Sequence, residues 1–159
     1  MSIIDAHLHL FKANSKDYPR PVYPKLADEN REVLAKQLLI TMEKAGVDKA
    51  IVVPLGPEDN YVSELQEEYP GKFAVVGIYD TNSVDPVENL DRRIKYSNIQ
   101  GIRVGYVDKG ASVKDDPEKY ELYPLFKAMA ERGLKVWFYA EPAQVEMFDR
   151  VLERLPDLV

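Results

Sequence analysis

The residues of this chain whose types and spacing can do chemistry stand close to its first residue, in Asp5-Ala-His7-Leu-His9. His7 and His9 are the only histidines in the chain. They fall in a short apolar stretch that reads as a strand over residues 3–10. Side chains alternate across a strand, so residues two apart share a face with Cα atoms roughly 6.5–7 Å apart. Two imidazoles so placed can converge on one divalent cation, and imidazole suits zinc, nickel, copper or iron. The alternative is a polar pair that lines a core or binds an anion without metal. Two ligands fall short of the three or four protein ligands usual for zinc. Asp5 lies on the same face and can buttress such a pair, as carboxylates behind metal-bound histidines do.

Composition narrows the partners. At 159 residues, 45% apolar and 30% charged, the chain is expected to form one globular domain with a sizeable core. Its net charge of −6 disfavours nucleic acid and anionic membrane surfaces, because the long-range field repels phosphate. With no cysteine there is no disulfide framework and no thiolate metal site, which agrees with a cytoplasmic location. No secretory leader is recognisable, and no apolar run approaches the roughly 20 residues of a membrane-spanning helix.

The elements that must position the histidines alternate along the chain. Strands are expected over 3–10, 49–55, 73–79, 99–107 and 135–140. Helices are expected over 30–45, 60–69, 85–97, 120–132 and 142–155. Several boundaries have chemical punctuation: Gly46 after the first helix, Asp85-Pro86 as cap and first residue of the third, and Gly133 after the fourth. Asn60 and Glu141 read as cap residues of the second and fifth helices. The stretch 12–29, with Pro19, Pro21, Pro24, Tyr18 and Tyr23, reads as a stiff aromatic loop, either a substrate lid or a cover for the rim. The acidic run Asp115-Asp116, with Glu118 and Glu121, reads as solvated surface.

Five βα units in strict alternation mean an α/β protein with parallel strands and right-handed crossovers. Either an open doubly wound sheet or part of a (β/α)₈ TIM barrel answers to that pattern. A complete barrel takes about 250 residues. Residues 1–159 are therefore read as one incomplete barrel domain with about five of eight units, Leu158-Val159 beginning a further element. Functional residues then belong at the C-terminal ends of the strands. That rule selects His7 and His9, the Gly101-Ile-Arg103-Val-Gly105 segment, and Tyr139 at the end of the fifth strand.

Taken in order, Asp5-Ala-His-Leu-His-Leu-Phe, Ala45-Gly-Val-Asp-Lys-Ala-Ile-Val-Val-Pro and Gly101-Ile-Arg-Val-Gly resemble the amidohydrolase superfamily, specifically its amidohydrolase-related branch. The resemblance implies a TIM barrel and a divalent metal, usually zinc, on His7 and His9. It also implies further ligands from strands five, six and eight and hydrolysis by activated water. At the strand-five position this chain carries Tyr139 instead of histidine. A phenol ordinarily ionises near pH 10 and is a weak ligand at neutral pH. A subgroup similar to pyrone-dicarboxylate lactonase works without a required metal and binds an anionic lactone through the strand-one histidines, a strand-four arginine and a strand-five tyrosine. Arg103 and Tyr139 match those positions, and Tyr23 matches a further substrate-contacting tyrosine.

The resulting expectation is hydrolysis of a small anionic lactone or amide, with His7 and His9 catalytic and Arg103, Tyr139 and Tyr23 binding substrate. A metal-dependent decarboxylase of the same branch is the alternative. So is an inactive fragment or scaffold that self-associates through open barrel edges.

Overall fold

A computed structural model describes residues 2–159. Five strands form one sheet: β1 (Ile4–Leu8), β2 (Lys49–Val52), β3 (Phe73–Ile78), β4 (Gly101–Val104) and β5 (Lys135–Phe138). All neighbours are parallel, and their spatial order is the chain order 1-2-3-4-5. This order decides between the two architectures. A doubly wound sheet reverses direction at a switch point, whereas an unbroken sequential order with right-handed crossovers puts every helix on one face. The helices are α1 (Ala35–Ala45), α2 (Asn60–Glu68), α3 (Pro86–Ser97), α4 (Tyr123–Glu131) and α5 (Pro142–Arg154).

The sheet is curled. His7 on β1 and Trp137 on β5 are separated by four strand spacings, about 19 Å in a flat sheet. Their ring centroids are 6.2 Å apart. The strands at the two edges therefore face each other across the concave side, as in part of a barrel wall.

The convex side carries the core. Ala50, Val52, Val75, Ile102 and Val104 are buried there with Leu65, Leu90, Phe126, Met129 and Val151 from the helices. Phe138 stacks on Phe148 of α5 at 4.4 Å between centroids. Alternation then sends Ile78, Arg103, Trp137 and Tyr139 to the concave side. Gly101, which opens the Gly-Ile-Arg segment, is required by the β4–β5 approach: a Cβ there would strike the Lys135 carbonyl.

Element ends account for most differences from the sequence reading. The third helix is capped as expected: the Asp85 carboxylate accepts from Val87 N at 3.0 Å and Glu88 N at 2.9 Å, with Pro86 in the first turn. The first helix starts five residues later than its apolar spacing indicates. Val33 instead pairs with Phe11 through two backbone hydrogen bonds of 2.8 and 3.0 Å, which hold residues before α1 extended. Asn60 is not the cap of α2. Asp59 occupies that position, and the Asn60 amide donates to the Asp17 carbonyl at 2.8 Å. Glu141 stands at the cap position of α5, but its carboxylate makes no capping bond. Leu158 is buried, and Val136 N donates to the Val159 carbonyl at 2.7 Å, so the last residues lie along β5.

Candidate active site

The C-terminal ends of β1 to β5 open into a cavity of about 860 Å³. His9, Arg103, Tyr139 and Tyr23 all line it, so the tertiary structure brings together four of the five residues selected from the sequence. The fifth, His7, is not in the lining. Its ring packs edge-on against His9, with centroids 5.1 Å apart, and against Trp137.

Strand β1 has one residue more than β2 between matched positions: Asp5 pairs with Ala50, but Leu8 pairs with Val52. Such a bulge re-aims side chains near functional sites. Here it falls around Ala6 and His7. Asp5 holds it by accepting the His7 backbone N–H at 3.1 Å. The carboxylate thus acts on the backbone, not on an imidazole as expected of a buttressing residue. His9 is oriented by the Val53 carbonyl, 2.8 Å from Nδ1. A carbonyl only accepts, so Nδ1 carries a proton, and in the neutral ring Nε2 keeps its lone pair.

Partial burial, then the neighbouring His9 and Arg103 charges, push the His7 imidazole below its ordinary value; Asp5 opposes weakly. The neutral form is therefore favoured in the fold. The unfolded chain binds the extra proton first, so this contribution to stability is complete above about pH 6.5 and is lost as pH falls below it. With only two histidines, proton NMR titration resolves both rings. One is expected to titrate below 6.5, and Arg103→Gln is expected to move that ring upward. An unmoved His7 titration contradicts the proximity of the two groups.

Arg103 projects from the C-terminal half of β4 and lies over the Tyr139 ring, its guanidinium carbon 5.0 Å from the centroid. Tyr139 itself is 73% exposed. Among the described residues no carboxylate lies within ion-pair distance of Arg103. Neither Asp5 nor Glu141 neutralises it. No aspartate or glutamate lines the cavity either, although the chain carries 27 of them against 21 lysines and arginines. An acidic protein has thus kept acid out of one concave surface and placed arginine there.

The aromatic loop forms a wall of this cavity through Pro21, Tyr23 and Leu26. Arg20 organises it. Its guanidinium donates to the carbonyls of Lys12, Pro21, Ala27, Asp28, Glu29 and Arg31 at 2.5–3.4 Å and lies over the Phe11 ring. Tyr18 is not in the wall. It donates to Glu64 on α2 at 2.7 Å. Arg20→Met, which keeps the stem and removes the donors, is expected to speed amide hydrogen exchange across 14–31 while β2–β4 stay protected. Unchanged exchange in the loop would refute the anchoring role.

Sequence reasoning missed several lining residues. Tyr79 and Tyr106 face each other at 6.0 Å, and the Tyr106 hydroxyl donates to Glu121 at 2.8 Å. Burial, together with the Glu121 and Tyr79 contacts, raises the Tyr106 phenol far above its ordinary range. One member of the acidic run is therefore a partner of the site wall. Trp137, which packs on His7 outside the lining, was findable: it stands two before Tyr139, by the same alternation that groups His7 with His9. Tyr106 and Glu121 have no such spacing.

A metal can be tested against this donor set. His9 is oriented as metal-bound histidines are, with Nδ1 donating to a carbonyl. Among the described residues, however, no group of three His, Asp or Glu side chains is placed to hold an ion. Arg103 also sets a positive charge near His7. The pair supplies about half of the ligands a zinc site usually takes.

Known proteins can be set beside this geometry. The amidohydrolase family model matches residues 4–159. A probable 2-pyrone-4,6-dicarboxylic acid hydrolase from Acinetobacter baumannii, solved with citric acid bound, is similar at TM-score 0.67 and 15% identity, covering 99% of this chain and 55% of that one. A putative 2-pyrone-4,6-dicarboxylic acid hydrolase from Pseudomonas putida gives 0.63 and 16%, covering 97% and 54%. An uncharacterized TIM-barrel protein from Bordetella bronchiseptica gives 0.59 and 18%, covering 100% and 65%. No protein of curated function matches. At these identities the solved structures speak for the fold, and this chain spans little more than half the length of the first two. No helix is long and apolar enough to cross a membrane among the described residues. The five sequential parallel strands, the site at their C-terminal ends and the match over almost the whole sequence place this chain in the amidohydrolase family.

Proposed function

We propose that this chain supplies the substrate-binding face of a hydrolase acting on a small anionic cyclic ester. The observation that carries this reading is the sorting of charge: Arg103 unpaired among the described residues, and no acid in the cavity lining. A half-buried guanidinium that faces a cavity and has no carboxylate partner is free to take an anionic group of a ligand through its paired donors. The two pyrone-dicarboxylic acid hydrolases of similar fold are named for a dicarboxylic acid lactone, which agrees with such a ligand.

In this reading Arg103 grips a substrate carboxylate through paired N–H donors, and the Tyr139 ring beneath it fixes the plane of the guanidinium. Tyr23 closes over the ligand from the loop. His9, with Nδ1 committed to Val53, offers Nε2 to a water. Nε2 takes the water proton, the oxygen attacks the ester carbonyl, and the ring C–O bond breaks. The proton then passes to the leaving oxygen. His7, favoured in its neutral form, adds no second positive charge beside His9.

Calorimetric titration of the chain with a carboxylated lactone and with its methyl ester tests the reading. The free acid is expected to bind and the ester to bind at least tenfold more weakly. Equal affinities would overturn it. Binding is the readout, since this chain spans 55% of the length of the first structural relative.

A further inference from the structure

We propose that the ligand of this site carries an apolar arm beside its anionic group, and that Leu26 and Tyr23 select for that arm. This deepens the anion-binding reading above and rests on it for the anionic end alone. Val22, Tyr23 and Leu26 are large apolar side chains left 43%, 46% and 72% exposed within five positions of the aromatic loop. Tyr23 and Leu26 both line the cavity. Clustered exposed apolar groups on the wall of a cleft mark a contact surface, whereas scattered ones need no explanation.

The two side chains are presented by a closed turn. Tyr23 N donates to the Ala27 carbonyl at 2.9 Å, while Leu26 N and Ala27 N donate to the Tyr23 carbonyl at 2.9 and 2.8 Å. Ala27 is buried, and its carbonyl also accepts from Arg20 at 3.0 Å. The turn abuts the end of β2: a Cβ on Gly56 would come within 2.7 Å of Pro21 Cδ. Pro54, Leu55 and Pro57 continue the lining there. Proline has no N–H to donate, so this wall offers little to a polar group. Arg31, on the same loop, is exposed and solvated at the rim.

Arg103 stands on β4, two strand spacings from β2, or about 9–10 Å. The cavity therefore has a cationic point on β4 and an apolar wall over β2. Its volume of about 860 Å³ lies in the range of about 300–1,000 Å³ that encloses drug-sized ligands. The matching ligand is an amphiphilic carboxylate, with its charge at Arg103 and an alkyl or aryl arm laid across the β2 end onto Tyr23 and Leu26. Covering those exposed side chains removes apolar surface from water, which is the gain the arm supplies.

Benzoate and 4-butylbenzoate share one carboxylate and differ only in the arm. A buried methylene is worth about fourfold in affinity, so the intact chain is expected to bind 4-butylbenzoate at least tenfold more tightly by calorimetric titration. Leu26→Ser is expected to reduce that ratio at least threefold while leaving benzoate unchanged, and Leu26→Met to keep the ratio. Val84→Ser removes an equally exposed apolar side chain outside the lining and is expected to change neither ligand. Circular dichroism and thermal melting confirm that each variant is folded. Equal binding of the two acids, or a ratio that survives in folded Leu26→Ser, overturns the proposal, as does a ratio that falls as far in Val84→Ser. Arg103→Gln tells the two levels apart. If it changes neither acid while the ratio holds, the anion-site reading fails and the apolar wall stands; if it weakens both while Leu26→Ser leaves the ratio intact, only the role of the wall fails.

Discussion

Asp59→Ala is expected to lower unfolding stability by about 3–5 kcal/mol, the cost of stranding a charge in the interior. Arg93 and Asp59 are the buried charged side chains among the described residues, at 3% and 5% exposure. They meet in a two-pronged pair, Nε to Oδ2 at 2.6 Å and Nη2 to Oδ1 at 2.7 Å, while Nη1 donates to the Ile78 carbonyl at 2.6 Å. The pair ties α3, the segment before α2 and the end of β3 into one unit. Gly77 makes room for it, since a Cβ there would run into the guanidinium.

Total stability of a domain is about 5–15 kcal/mol, so the variant is expected to lose a large share. In urea the midpoint should fall by about 2 M at ordinary slopes. Arg93→Met is expected to match it. The double variant Asp59→Leu with Arg93→Met should lose less than either single change, because no lone charge remains buried. Additive losses in the double variant would show that the pair is not coupled. Ile78 and Pro57 line the cavity. Loosening this unit should therefore also weaken anion binding in the population that stays folded.

The second large effect concerns Arg103 directly. Arg103→Gln is expected to weaken binding of a carboxylated ligand by about 30-fold, equivalent to about 2 kcal/mol for charge-assisted hydrogen bonds. Arg103→Lys should recover only part, since an ammonium cannot present the planar fork or lie flat on Tyr139 in the same way. Tyr139→Phe keeps the ring under the guanidinium and should cost far less than Tyr139→Ala. Isothermal titration with one ligand across the unsubstituted chain and the four variants checks the order. A Tyr139→Ala variant with unchanged affinity would remove the ring from the site.

How much of this was readable beforehand follows from the range over which each feature is encoded. Strand and helix identity came from periods of two and 3.6, which depend on neighbouring residues only. The Asp85-Pro86 cap was legible for the same reason: cap, first helical residue and receiving N–H groups lie within four positions. The grouping of His7 with His9, and the placement of Arg103 and Tyr139 at strand ends, followed from alternation and from where parallel α/β folds put their sites.

The tertiary structure decided what local pattern cannot encode. Sequential strand order, not strand count, distinguished a barrel wall from a doubly wound sheet. The Phe11–Val33 pairing overrode helical spacing before α1, because two long-range backbone hydrogen bonds outweigh a weak local preference. Asp59 and Arg93 are 34 residues apart, and Tyr106 and Glu121 are 15 apart; neither pair has a period that announces it. The cavity itself was beyond reach of the sequence for the same reason. The chain reads as evenly acidic, and only the curl of the sheet and the loop pinned by Arg20 gather Arg31, Arg103 and His9 on one surface while leaving every carboxylate outside its lining. Local alternation was enough to place His7, His9, Arg103 and Tyr139 at strand ends; folding set their company, because charge and shape complementarity arise from contacts between segments distant along the chain.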